Sequence, residues 1–153
     1  MSIDIQEIFD RGRDEQWRVD LRKTLAPKKR TAIPRVRMPE LSPEFRVTNN
    51  REVGEGLSVE QAVLEATRCL DCPNPGCVQG CPVHNDIPGF IKNLERRNFR
   101  EAINVLHRTT VLPAVCGRVC PQEKQCEGHC TYLKMGKPAV SIGACLLYTS
   151  DAA

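Results

Sequence analysis

Residues 69–82 read "CLDCPNPGCVQGCP", four cysteines in thirteen positions with the spacing C-x2-C-x4-C-x3-C and a proline after the last. A second group follows at residues 116–130, "CGRVCPQEKQCEGHC", spaced C-x3-C-x5-C-x3-C. The ending Cys-x3-Cys-Pro occurs in both, at Cys77/Cys81/Pro82 and at Cys116/Cys120/Pro121. Eight of the nine cysteines lie between Cys69 and Cys130. Inert buried thiols occur one at a time, not as a spaced cluster of this density. Disulfides suit small exported domains. Here the cysteine total is odd, and the opening "MSIDIQEIFDRGRDEQW" is charged without an apolar run. Metal ligation is the better reading.

Two quartets of thiolates suit two zinc ions or two iron–sulfur clusters. Zinc commonly takes paired C-x2-4-C hooks, and Cys69/Cys72 meets that spacing, with His129 as a further donor. A four-iron cluster is a larger object that needs thiolates from several directions. A tight run supplies three and a distant cysteine closes the cage. The bacterial run C-x2-C-x2-C-x3-C-P shares the Cys-x3-Cys-Pro ending and sends its fourth cysteine to the other cluster. The spacing therefore favours two [4Fe–4S] clusters over a zinc-stabilised binding module. The candidate metal ligands are Cys69, Cys72, Cys77, Cys81, Cys116, Cys120, Cys126 and Cys130. Arg68, Arg118 and Lys124 would either offset cluster charge or be ordinary surface residues, the latter being preferred. His84 and His107 read as helix-end surface residues.

The rest of the chain predicts an all-α fold. Ser58-x-x-Gln61 forms a capping box before Ala62, Val63, Ala66, Cys69 and Leu70 on one face, so this helix ends in the first cysteine group. Pro88 stands in the first turn of a second helix, with Ile87, Phe90, Ile91 and Leu94 at helical spacing. Asn98-x-x-Glu101 caps a third. No segment alternates as a strand. Residues 1–57 read as an N-terminal helical and extended arm: Asp4-x-x-Glu7 caps a short helix, Trp17, Leu21 and Leu25 form an apolar stripe, and prolines 27, 34, 39 and 43 break regular structure. Seven basic residues and no acid lie between Arg22 and Arg37. They read as a solvated linker that docks on an acidic partner surface, because no aromatic residues interleave as a base-stacking surface would want. The net charge of +3 and the lack of a long apolar run point away from nucleic acid and membrane, towards a cytoplasmic protein.

"ATRCLDCPNPGCVQGCPVHNDIPGFI", "LPAVCGRVCPQEKQCEGHC" and "VSIGA" together resemble the N-terminal iron–sulfur domain of the NADPH-dependent glutamate synthase small (beta) chain. The likeness covers residues 38–144 and is shared by dihydropyrimidine dehydrogenase and by bifurcating ferredoxin:NADP oxidoreductase subunits. It implies a helical ferredoxin-like domain at 58–144 with two [4Fe–4S] clusters. One would be held by Cys69, Cys72, Cys77 and Cys130, the other by Cys81, Cys120 and Cys126. The second cluster's fourth ligand in such proteins can be a non-cysteine side chain just after the "IGx" segment; Leu146 stands there, and Cys116 is the local alternative. The resemblance further implies electron relay between FAD and a partner flavin, with NADPH and FAD bound by a downstream flavin domain and a glutamate synthase large chain or equivalent flavoprotein as partner. No catalytic residue is expected among these 153. After Ala144 the family pattern gives way to "CLLYTSDAA", and no G-x-G-x-x-G occurs. Residues 145–153 therefore read as an anomalous tail, a truncation or misjoined end, and Cys145 as a bystander.

Overall fold

The capping box expected at Ser58 is present: the Gln61 N–H donates to Ser58 Oγ at 3.2 Å, and the Ser58 N–H donates to Gln61 Oε1 at 2.9 Å. In this computed structural model, which describes residues 12–152, the box opens a helix at Val59–Arg68. Before it come α1 (Gln16–Thr24), α2 (Pro27–Arg30) and α3 (Pro43–Arg46), and the capped helix is numbered α4. Among the described residues no strand forms, and the β contact is a single bridge, Glu40 with Gly54.

α6 (Ile87–Glu95) starts where the Asp86 carboxylate accepts the Gly89 N–H at 2.8 Å, and α7 (Phe99–His107) where Asn98 accepts the Glu101 N–H at 3.2 Å. Each such cap is worth about 1 kcal/mol. α6 packs on both α4 and α7, burying Ala62, Ala66, Phe90, Ile91, Leu94, Ala102 and Leu106 in one core. α5 (Gly76–Gln79), α8 (Pro113–Val119) and α9 (Thr131–Lys134) carry or border the cysteine groups.

α10 (Ile142–Asp151) lies along α8 and reaches α4, α6 and α7. A Cβ on Gly117 would sit 3.1 Å from the Leu147 backbone, so this glycine sets how closely α8 approaches α10. Cys145, Leu146, Leu147 and Thr149 are buried. The stretch after Ala144 thus forms most of a helix that packs against the core. Among the described residues no helix is long and apolar enough to cross a membrane.

The N-terminal region departs from the expectation in one respect. Trp17, Leu21 and Leu25 are only partly buried, whereas Arg18 is 3% exposed. The basic run finds its acids inside the same domain. Arg22 pairs with Asp71 at 2.6 Å, Arg30 with Glu95 at 2.7 Å and Arg35 with Glu127 at 2.7 Å. The other four basic residues of the run, Lys23, Lys28, Lys29 and Arg37, are exposed. Asp4 and Glu7 lie outside the described residues.

Arg68 also differs from the surface residue expected. It is 1% exposed, pairs with Glu65 at 2.5 Å, and donates to the Ile33, Pro138 and Ala139 carbonyls. Glu65 in turn accepts the Val36 and Ser141 N–H groups, both at 2.7 Å. A buried pair persists when every remaining hydrogen-bonding position is filled. This one ties the chain at 33–36 and 138–141 to the end of α4.

Candidate metal centre

Cys77 lies in α5 and Cys81 just past the Gly80 that caps it. Cys126 and Cys130 flank a short 3-10 turn, Glu127–His129. These two segments press together. A Cβ on Gly76 would come 2.5 Å from the His129 carbonyl oxygen, and one on Gly80 would meet His129 Nδ1 at 2.5 Å and the Gln125 oxygen at 2.8 Å. Only glycine permits that approach.

The crossing distributes the thiols. Cys69, Cys72, Cys77 and Cys130 line one cavity of about 30 Å³, among Leu70, Ile87, Ile91 and Tyr132. Cys81, Cys116, Cys120 and Cys126 line a second, of about 110 Å³, with Phe90, Gln122 and Leu146. Each crossing segment gives one cysteine to each cavity. Cys69 and Cys72 come from the end of α4 and the loop after it; Cys116 lies on α8 and Cys120 caps its end. His129 is exposed and lines neither cavity; its Nδ1 lies 2.7 Å from the Gln125 oxygen. His84 and His107 are exposed, as expected. Cys145 is fully buried yet lines neither cavity. Leu146 presents a side chain without a donor atom to the second.

Three polar contacts to sulfur were not legible in the sequence. Thr131 Oγ1 lies 3.3 Å from Cys72 Sγ, Asn85 Nδ2 donates to Cys81 Sγ at 3.9 Å, and Thr110 Oγ1 lies 4.0 Å from Cys116 Sγ. No motif flags a threonine or asparagine for this role. Adjacency to a cysteine, as for Thr131, was the available signal.

Burial among the apolar walls favours the neutral form of four of these thiols. Burial pushes the Cys69 thiol up to about 12, against the partial relief of Lys92, and burial with the neighbouring Glu127 carboxylate does the same for Cys126. Cys77 is driven well above the ordinary thiol range by burial and then by the surrounding cysteines. Burial and Cys116 raise Cys120. Thiolates can collect here only together with a positively charged metal core. Among the described residues no three His, Cys, Asp or Glu side chains converge closely enough for a single metal ion. Tetrahedral zinc would need sulfurs roughly 3.8 Å apart, from a metal–sulfur bond of about 2.3 Å. The thiols instead stand around the walls, a donor set that fits a larger inorganic core.

A helical fold that turns its cysteines from helix ends onto apolar cavities defines a cysteine-ligated metal domain. Comparison with known proteins gives the particular kind: residues 46–153 match the family described as dihydropyrimidine dehydrogenase domain II, 4Fe-4S cluster, and the chain belongs to that family. It is 45% identical over 116 residues to the glutamate synthase [NADPH] small chain of Halomonas elongata, covering 75% of this chain and 24% of that one. Against the glutamate synthase [NADPH] small chain of Escherichia coli the identity is 43% over 121 residues, 79% of this chain and 25% of that one. The NAD-dependent dihydropyrimidine dehydrogenase subunit PreT of Escherichia coli is 39% identical over 90 residues, 59% of this chain and 22% of that one. The chain is thus a 4Fe-4S cluster domain of that family, similar over most of its length to glutamate synthase small chains. It spans about a quarter of the length of these curated relatives.

Proposed function

We propose that the domain at 58–144 holds two [4Fe–4S] clusters, one on Cys69, Cys72, Cys77 and Cys130 and the other on Cys81, Cys116, Cys120 and Cys126. The observation that carries this reading is the pair of cavities with four thiols each, built from segments that contribute to both. Bound there, the clusters supply reversible one-electron storage. The protein's part is to exclude water with apolar walls, to set the sulfurs' hydrogen bonds, and to build both sites from shared segments. Within the 1–57 arm, the described residues 12–57 dock on this domain through arginine–carboxylate pairs.

The parent protein is, in this reading, a cytoplasmic NADPH-dependent oxidoreductase of the glutamate synthase type. Its clusters would relay single electrons between FAD and the flavin of a partner large chain. The higher identity and coverage of the two small chains favour this over pyrimidine reduction. Anaerobic reconstitution should give about eight iron and eight sulfide per chain. Stoichiometric zinc without iron after anaerobic purification would overturn the proposal.

A further inference from the structure

The loop between Cys69 and Cys72 is gripped by cations from two directions. Asp71, which lies within it, is fully buried and takes a left-handed backbone conformation, φ 52°. A non-glycine residue there is strained and persists only where its surroundings over-determine it. Arg18 Nη2 meets one Asp71 carboxylate oxygen at 2.5 Å, Arg22 Nη1 meets the other at 2.6 Å, and Arg13 Nε donates to the Asp71 carbonyl at 3.1 Å. Arg22 Nη1 also donates to the Arg13 carbonyl at 2.7 Å, which locks the arginines to one another. From the opposite side the fully buried Lys92 Nζ donates to the Cys69 carbonyl at 2.5 Å and pairs with Glu95 at 2.6 Å.

Among the described residues no charged side chain lines either cavity, and the polar lining of the second is Asn85, Gln122 and Gln125; the contrast lies in the loops behind the walls. The carboxylate beside Cys126 is that of Glu127, held by Arg35 at 2.7 Å. Arg118, next along from Gly117, is spent on Glu52 and Asp151 at the surface.

We infer that Arg18 and Arg22 are positioning residues for the first cluster, fixing the Cys69–Cys72 loop through Asp71 and raising that cluster's reduction potential above the second's. The inference rests on the reading that the first cavity holds a cluster. An added electron makes a thiolate-bound cluster more negative, so fixed cations in a low-dielectric wall favour the reduced form. Around this loop five cations, Arg13, Arg18, Arg22, Arg30 and Lys92, face three carboxylates, Asp71, Asp86 and Glu95. The arm therefore sets which cluster fills first.

The test is an EPR-monitored reductive titration of the full chain after anaerobic reconstitution, with Cys72→Ala used to assign the first cluster's signal. Arg22→Gln should shift the first cluster's midpoint potential negative and leave the second's in place. Arg22→Lys should restore it. Asp71→Asn, which removes a carboxylate, should shift it positive. Opposite signs in the two variants are what a purely structural role cannot produce. If Arg22→Gln instead sheds the first cluster alone and Arg22→Lys keeps it, the grip is upheld by iron content. Shifts of the same sign in Arg22→Gln and Asp71→Asn, equal effects on both clusters, or none at all, overturn it. Failure of the cluster reading itself appears earlier, as a wild-type chain that takes up no iron.

Discussion

A methyl group on Gly80 would have to share space with the His129 ring and the Gln125 carbonyl. Neither can retreat without moving the turn that carries Cys126 and Cys130. Gly80→Ala is therefore expected to cost about 1–3 kcal/mol in overpacking. Because the displaced turn serves both cavities, iron should fall at both clusters together. A loss confined to one cluster would show that the crossing is not shared. Cys116 is a separate case, since it lines only the second cavity and Leu146 offers no substitute donor. Cys116→Ala should open one iron of that cluster and yield a three-iron EPR signal on mild oxidation, with the first cluster intact. Cys145→Ala, which removes a thiol from outside both cavities, should leave iron content unchanged. If Cys145→Ala lowered iron as Cys116→Ala does, the fourth ligand would be misplaced.

The elements divide by how they announce themselves. α4, α6 and α7 were readable because each pairs a cap with an apolar face at helical spacing: Ser58 with Ala62 and Ala66, Asp86 with Phe90, Ile91 and Leu94, Asn98 with Ala102 and Leu106. α5, α9 and the 3-10 turn were not, because a single turn has no period to detect and its residues are chosen for close approach and ligation. The quartet pattern picked out the eight cysteines that line the two cavities. The partition among cavities rests on the Gly76/Gly80 crossing, a tertiary contact that spacing cannot express. Arg68 read as surface charge because its burial depends on the Ile33, Pro138 and Ala139 carbonyls, which lie far along the chain. At this scale Ser58→Ala is informative. It removes the cap on the helix that delivers Cys69, and should cost about 1 kcal/mol, roughly 2–4 °C in melting temperature for a chain of this size. Iron content should not change, since Cys69 is also held by Lys92 through its carbonyl. Loss of the first cluster in this variant would mean that the helix end, not the loop, orients the ligand.

The whole molecule has two halves with opposite responses to protons. One is the α4–α6–α7 core, closed by ordinary apolar side chains. The other is the pair of cavities, lined by cysteines of which Cys69, Cys77, Cys120 and Cys126 are raised by burial. In the metal-free chain the Cys69 and Cys126 thiols are pushed up to about 12, against about 8.5 for an unfolded thiol. A raised folded pKa gives stability that is complete below about 8.5 and is lost as pH rises towards 12, because the unfolded chain ionises first. Metal uptake runs the other way. Every ligating thiol must give up its proton, so loading strengthens as pH rises from about 6 to 8. The reduced, metal-free chain should thus unfold at lower urea at pH 10 than at pH 8. The reconstituted chain should surrender iron to a chelator more slowly at pH 8 than at pH 6. Buried Tyr132, whose hydroxyl donates to the Arg68 carbonyl at 2.6 Å beside the first cavity, gives a near-ultraviolet signal for both measurements. The far-ultraviolet helix signal should outlast it in the metal-free chain, because the apolar core does not depend on iron. Parallel pH responses of the two forms would show that the thiols are not the groups that couple folding to metal.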